Sequence, residues 1–215
     1  SKEMVGMRLL SSFTGISAVL LERGKISDEQ LSRVKKSLND FTDLDIIIDD
    51  YSTSLSALYE SLQTHTDKRS IDILYADYST LFQERSSSVF EKESFVADSL
   101  RGLARSLDTS VVCLTQQNRQ FLNRENEKPQ ISDIKNSASH EQNSQAVFML
   151  HRPYIAQMQA EGLPPLEEED ALIILAKNRS GVSNIEIPVI YEPKKMKRKN
   201  KINPFVPPPN IKGNK

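Results

Sequence analysis

Apolar positions recur along this chain with two different periods, and the change from one to the other divides it into elements. From Lys2 to Phe13, Met4, Val5, Met7 and Leu10 fall at helical spacing, so the chain is expected to open in a helix with no strand before it. Gly24 ends the next stretch. Ser27 and Gln30 then make a capping box, Asp28 and Glu29 favour a first helical turn, and Leu31, Val34 and Leu38 form the apolar stripe. Asp45–Asp49 (DIIID) is expected to be a short buried strand, and Leu55, Leu58, Tyr59 and Leu62 fit a helix after it.

Three continuously apolar runs follow: Ile71–Ala76, Val111–Thr115 and Ala146–Leu150. A helix from about Phe90 to Leu107 joins the first two, with Phe95, Val96, Leu100, Leu103 and Leu107 on its apolar face. Ala171–Ala176 and Ile185–Ile190 read as two more strands, a hairpin turning at Ser180-Gly181. Apolar strands separated by amphipathic helices predict an α/β domain with a largely parallel sheet. No internal repeat is present. The 215 residues suit one domain over 1–191 with a tail over 192–215.

Charge changes the picture at the C-terminus. The net charge of −1 hides a tail of net +7, which leaves −8 on residues 1–191. The tail reads KKMKRKNK and then NPFVPPPN; basic and interrupted by proline, it is expected to be disordered and solvated, with nucleic-acid or partner contact as the alternative. The acidic body argues against a broad basic nucleic-acid face and leaves room for a local DNA-contacting loop. No run approaches 18 apolar residues and no signal-peptide pattern opens the chain, so a soluble, cytoplasmic protein is expected. A single cysteine, Cys113, makes no internal disulfide, and three histidines with one cysteine are too few for a structural zinc site.

Candidate chemistry sits at strand ends. IDILYADYSTL places Asp77 at the C-terminal edge of a strand, where open α/β sheets bind ligands and a carboxylate can hold Mg²⁺ through water. The plain alternative is an aspartate capping the next turn. VVCLTQQNR ends a later strand in Thr115-Gln116, whose amide would lie beside Asp77 and sense a γ-phosphate; a polar pair after a strand is otherwise ordinary. ALIILAKNRSG sends Lys177 and Arg179 out of a third strand end, a point charge and a guanidinium fork suited to phosphate, or a solvated hairpin turn.

In this order the three runs resemble the RecA-like motor domain of the DnaB family of replicative DNA helicases. KEMVGMRLLSSFTGI is similar to the helix after that family's glutamate-containing motif, and GKISDEQL and IIIDD to its next segments. KPQISDIKNSASHEQNSQAVFMLHRP resembles the loop and strand between the amide motif and the cationic one, so the likeness runs from Ser1 to about Ile190. It implies a RecA-like P-loop NTPase core and a hexameric ring of identical subunits. Such a ring uses ATP and Mg²⁺ to move along single-stranded DNA, 5′ towards 3′, and unwinds the duplex, with a primase or helicase loader as further partner. By matching position, Asp77 is then the Mg²⁺-associated acid and Gln116 the nucleotide sensor. Arg179 is the arginine finger and Lys177 its companion, both directed at the neighbouring subunit's nucleotide. The run from Asp133 to Ala138 (DIKNSA) corresponds to the DNA-gripping loop, usually closer to D-L-R-E-S-G; Lys135, Asn136 and Ala138 depart from that form, and Ser137 keeps it.

No G-x-x-x-x-G-K-[ST] occurs in the 215 residues, and Glu3 falls on a later, non-catalytic acidic position of its helix. The reading is therefore of an N-terminally truncated core without its first strand and phosphate loop. Such a core would leave a sheet edge unpaired and an apolar face uncovered, and would neither bind ATP tightly nor hydrolyse it alone. A catalytically inactive remnant acting as a ring-partner module is the alternative from another class; a RecA-like recombinase fits SDIKNSASHEQ and FMLHRP less well. Cys113 reads as a buried small hydrophobe, His140 and His151 as loop and strand-end residues, and Asp49-Asp50 as a strand end and helix cap.

Overall fold

The computed structural model describes residues 1–201 apart from 67–69, 85, 119–120, 123, 125–127 and 135–136. Three helices open the chain: α1 (Lys2–Thr14), α2 (Ala18–Glu22) and α3 (Asp28–Thr42). Gly15 ends α1 in a left-handed conformation at φ +72, where its N–H donates to the Ser11 carbonyl at 2.8 Å. The capping box before α3 forms in full: the Gln30 N–H donates to Ser27 Oγ at 3.2 Å, and the Ser27 N–H to Gln30 Oε1 at 3.0 Å.

Next come α4 (Leu55–Thr66), β1 (Ile73–Ala76), α5 (Val89–Ser106) and β2 (Ser110–Cys113). Ser88 starts α5 by accepting from the Glu91 N–H. With α5 as the crossover, β1 and β2 pair in parallel, Ala76 opposite Cys113. Then follow α6 (Ser137–Asn143), β3 (Ala146–His151), α7 (Pro153–Glu161), β4 (Glu169–Asn178), β5 (Ile185–Glu192) and β6 (Lys197–Asn200). These four strands form an antiparallel sheet in the order β3-β4-β5-β6. Among the described residues parallel pairing is thus confined to β1 and β2. The short turns joining β4 to β5 and β5 to β6 permit only antiparallel neighbours.

The main core lies where α4 and α5 cover β1, built from Leu58, Leu62, Ala76, Phe82, Val96, Leu100 and Leu103. A second cluster joins Ile134 to Val147 and Met149 on β3 and Ile174 on β4. Strands β1, β2 and β3 are covered on one face. Ile73, Tyr75, Val112, Phe148 and Leu150 alternate with buried or half-buried neighbours and stay exposed.

Four sequence expectations need adjustment. Asp45–Asp49 is not a strand: no described strand lies beside it to supply a ladder, and Ile46 and Ile47 are exposed. Phe95 is 54% exposed, because the buried stripe of α5 runs through Val96, Leu100 and Leu103 and position 95 lies a full 100° off it. The α3 stripe is not buried either; Leu31 and Leu38 are exposed and Val34 half-buried. Part of the segment expected to be a disordered tail is folded, since β6 pairs with the end of β5, Ile190 opposite Lys199. Lys195 and Lys199 place their ammonium groups 2.8 and 3.0 Å from Glu192, which is buried. Residues 202–215 lie outside the described set. Among the described residues no helix is long and apolar enough to cross a membrane.

Leu100→Ala is expected to destabilise the chain by about 2–5 kcal/mol, and Phe95→Ala by roughly 0.5 or less, measured by urea unfolding. Equal effects would show that the buried stripe is misplaced.

Candidate functional site

Two of the predicted residues follow the ends of paired strands. The Leu114 N–H extends the parallel ladder to the Ala76 carbonyl at 2.9 Å, and the Ser79 N–H donates to the Leu114 carbonyl at 3.0 Å. Asp77 and Gln116 leave this edge one and two residues beyond those ties, and both are exposed. Among the described residues no group pairs with the Asp77 carboxylate. The Asp77–Tyr78 peptide is cis.

The chain after Gln116 is stitched to the candidate DNA loop. Gln117 forms an antiparallel bridge with Ile134, the Asn118 N–H donates to the Asp133 carbonyl at 2.6 Å, and Gln117 Nε2 reaches the Leu150 carbonyl at 3.5 Å. Asp133 anchors the loop's first residue. Its carboxylate, 2% exposed, takes both Arg124 Nη atoms at 2.6 and 2.7 Å and the Gln130 N–H at 2.7 Å. The Arg124 hydrogen bonds hold the Asp133 carboxyl below the usual aspartate value, against the opposing effect of burial. Lys135 and Asn136 lie outside the described residues; Ser137 opens α6 and Ala138 is exposed.

Lys177 and Arg179 both turn onto α6. Lys177 Nζ donates to the Glu141 carbonyl and Arg179 Nη2 to the Gln142 carbonyl, so two cations cap the C-terminal end of one helix. The Arg179 N–H also donates to the Gln145 carbonyl at 2.9 Å. On β3 they lie level with its beginning, Lys177 opposite Val147, whereas Gln117 reaches Leu150 near its far end. Three residues of strand separate these levels, roughly 10 Å.

Helix α6 in turn lies along α5 through polar contacts. His140 Nε2 is 2.8 Å from Glu93 Oε2, Ser139 and Ser94 share a hydroxyl–hydroxyl bond, and Asn143 donates to Asp98 at 2.8 Å while accepting from Arg101 at 3.1 Å. Glu93 Oε2 also accepts from Ser79 Oγ at 2.8 Å. Sequence reasoning missed Glu93. Its signal was a charge on an apolar stripe, because position 93 falls in line with 96, 100 and 103 on α5. His140, read as a loop residue, lies in α6 with 9% of its side chain exposed.

Other candidates have simpler roles. Asp49 accepts from the Tyr51 and Ser52 N–H groups and the Ser52 hydroxyl, a turn cap that holds its carboxyl below the usual value against burial. Among the described residues no group of three or more His, Cys, Asp or Glu is arranged to hold a metal. Burial first, and then the Glu93 charge, push the Cys113 thiol up to about 11, so it is not a nucleophile at neutral pH. A groove of about 1100 Å³ between Tyr154, Gln157, Glu161, Leu166, Asp170 and Ile190 contains none of the predicted site residues.

With this geometry in view, comparison with known proteins decides the family. The model of the DnaB-like helicase C-terminal domain matches residues 1–200. The chain belongs to that family. The replicative DNA helicase DnaB of Rickettsia typhi is 30% identical over 203 residues, 87% of this chain and 41% of that protein. The DnaB of Helicobacter pylori is 29% identical over 217 residues, 85% of this chain and 44% of that protein. The chain thus spans about two fifths of the length of these curated relatives. Its fold is that of a solved ATPase domain, with a TM-score of 0.79 at 20% identity over 93% of this chain and 71% of the other. A DnaB-like replicative helicase, solved with its interactions with primase, gives a TM-score of 0.74 at 19% identity over 89% of this chain and 46% of the other. The α/β RecA-like class expected for a DnaB-type domain is therefore the fold observed.

Because the Asp133 carboxyl is held below its ordinary value of 3.8, its stabilising contribution is complete above that pH and disappears as the pH falls through the depressed value. Asp133→Asn is expected to cost about 2 kcal/mol at neutral pH and to flatten the acid limb of the stability curve below pH 3.8, measured by thermal melts. An unchanged acid limb would contradict the assignment.

Proposed function

We propose that this chain is part of a replicative DNA helicase motor. Subunits in a hexameric ring would use ATP to move along single-stranded DNA and separate the duplex. One observation carries the reading: Asp77 and Gln116 share a sheet edge stitched to the 133–138 loop, while Lys177 and Arg179 sit apart on the helix that follows it.

The residues fit a Mg²⁺–nucleotide in part. Asp77 supplies one exposed carboxylate, and Mg²⁺ takes one or two carboxylates with phosphate and water completing its shell. Phosphoryl transfer from bound ATP supplies the driving free energy. Asp77 would hold that metal ion through water. Gln116 would offer an amide to the terminal phosphate, and the adjoining Gln117–Ile134 bridge would carry its position to the start of the candidate DNA loop. Lys177 and Arg179 are held on α6, apart from the Asp77 strand end, and in a ring they would face the neighbouring subunit's phosphates. A guanidinium there stabilises charge that grows on the transferred group. Lys135, Asn136, Ser137 and Ala138 grip the DNA backbone. Primase, bound by the DnaB-like relative of similar fold, is proposed as a partner here too.

A mixing experiment tests the reading. In helicase rings that include this chain, Arg179→Ala and Asp77→Asn are each expected to lower DNA-stimulated ATP hydrolysis by about 10³-fold. Rings mixed from the two variants regain activity, because one variant's intact Asp77 meets the other's intact Arg179. Failure of mixed rings to recover would remove the role in trans. Full activity of both single variants would leave the chain a ring-partner module.

A further inference from the structure

Helix α6 has an unusual means of support. Its seven residues, SASHEQN, include no large apolar side chain, and a helix that short does not persist without outside contacts. Those contacts are the polar seam with α5, in which positions 139, 140 and 143 meet 93, 94, 98 and 101. At its upper end lies Glu93, 1% exposed. Oxygen Oε2 is shared by Ser79 Oγ and His140 Nε2, both at 2.8 Å, and Oε1 has no partner among the described residues.

The three residues joined there belong to different parts of the site. Ser79 lies two positions after Asp77, and its N–H is bonded to Leu114, two positions before Gln116. His140 lies on α6, which begins in the candidate DNA loop and ends at the carbonyls that hold Lys177 and Arg179. A buried carboxylate with few donors is costly to leave half-satisfied, so neither partner can move without loss unless the other follows.

We propose that Glu93 is a positioning residue, and that the Ser79–Glu93–His140 contact couples the Asp77 strand end to α6, so that a change at the DNA loop is transmitted to the nucleotide-facing edge. It rests on the motor reading above and adds the physical link inside one chain. Glu93 itself touches neither nucleotide nor DNA.

Amide hydrogen exchange on the full chain, with and without an oligothymidylate, tests the proposal. In the unsubstituted chain the oligonucleotide is expected to slow exchange in residues 131–144, and by about fivefold or more in residues 77–82. His140→Leu should keep the slowing at 131–144 and lose it at 77–82, and Glu93→Gln should weaken the remote effect. His140→Gln, which restores a donor near the Nε2 position, should keep both. This last variant separates a specific donor from mere packing, since leucine fills the space as well as glutamine does. Remote slowing that persists in His140→Leu and Glu93→Gln would overturn the coupling while leaving the motor reading intact. No slowing at 131–144 in the unsubstituted chain would instead remove the DNA-binding reading, and the coupling with it.

Discussion

The carboxylate of Glu93 is the point on which the arrangement of the site depends. A charge buried to 1% exposure needs donors, and those present come from two separate segments, Ser79 beside β1 and His140 on α6. Hydrophobic burial fixes α5 against β1 through Val96, Leu100 and Leu103, and so sets where Glu93 stands. From there the order is polar. Glu93 and its neighbours place α6, and the end of α6 places Lys177 and Arg179.

That hierarchy has an energetic consequence. Burial of the α5 stripe is worth kilocalories per residue, whereas a cation at a helix C-terminus gains roughly 0.3–1 kcal/mol. The core is therefore rigid where the site is anchored, and the contacts of Lys177 and Arg179 are weak enough to be exchanged. A phosphate, with full negative charge, competes readily with two backbone carbonyls. In the proposed ring, the same chain would release from α6 the cations that it holds there in this structure.

Much of this was legible in the sequence, for a physical reason: strand ends and caps are local. The strand-end positions of Asp77, Gln116, Lys177 and Arg179 were legible because apolar runs stop where polar residues begin, and the Ser27–Gln30 box because its two bonds span three residues. What was not legible depends on distant partners. DIIID has strand composition but no described neighbour to pair with, and Leu31 and Leu38 form a stripe with little to cover it. Lys197–Asn200 reads as a solvated basic run, yet Glu192 and the edge of β5 order it. Glu93 stood in plain view on an apolar stripe. Its meaning came only when α6, 47 residues later, brought His140 to it.

The most direct measurement is a double-mutant cycle between Glu93→Gln and His140→Leu, read by urea unfolding of the full chain. If the buried contact holds α6 as described, the two substitutions are strongly non-additive, with an interaction energy of about 1–3 kcal/mol. Additivity within roughly 0.5 kcal/mol would mean that α6 stands without Glu93, and the account of how the site is held together would fail.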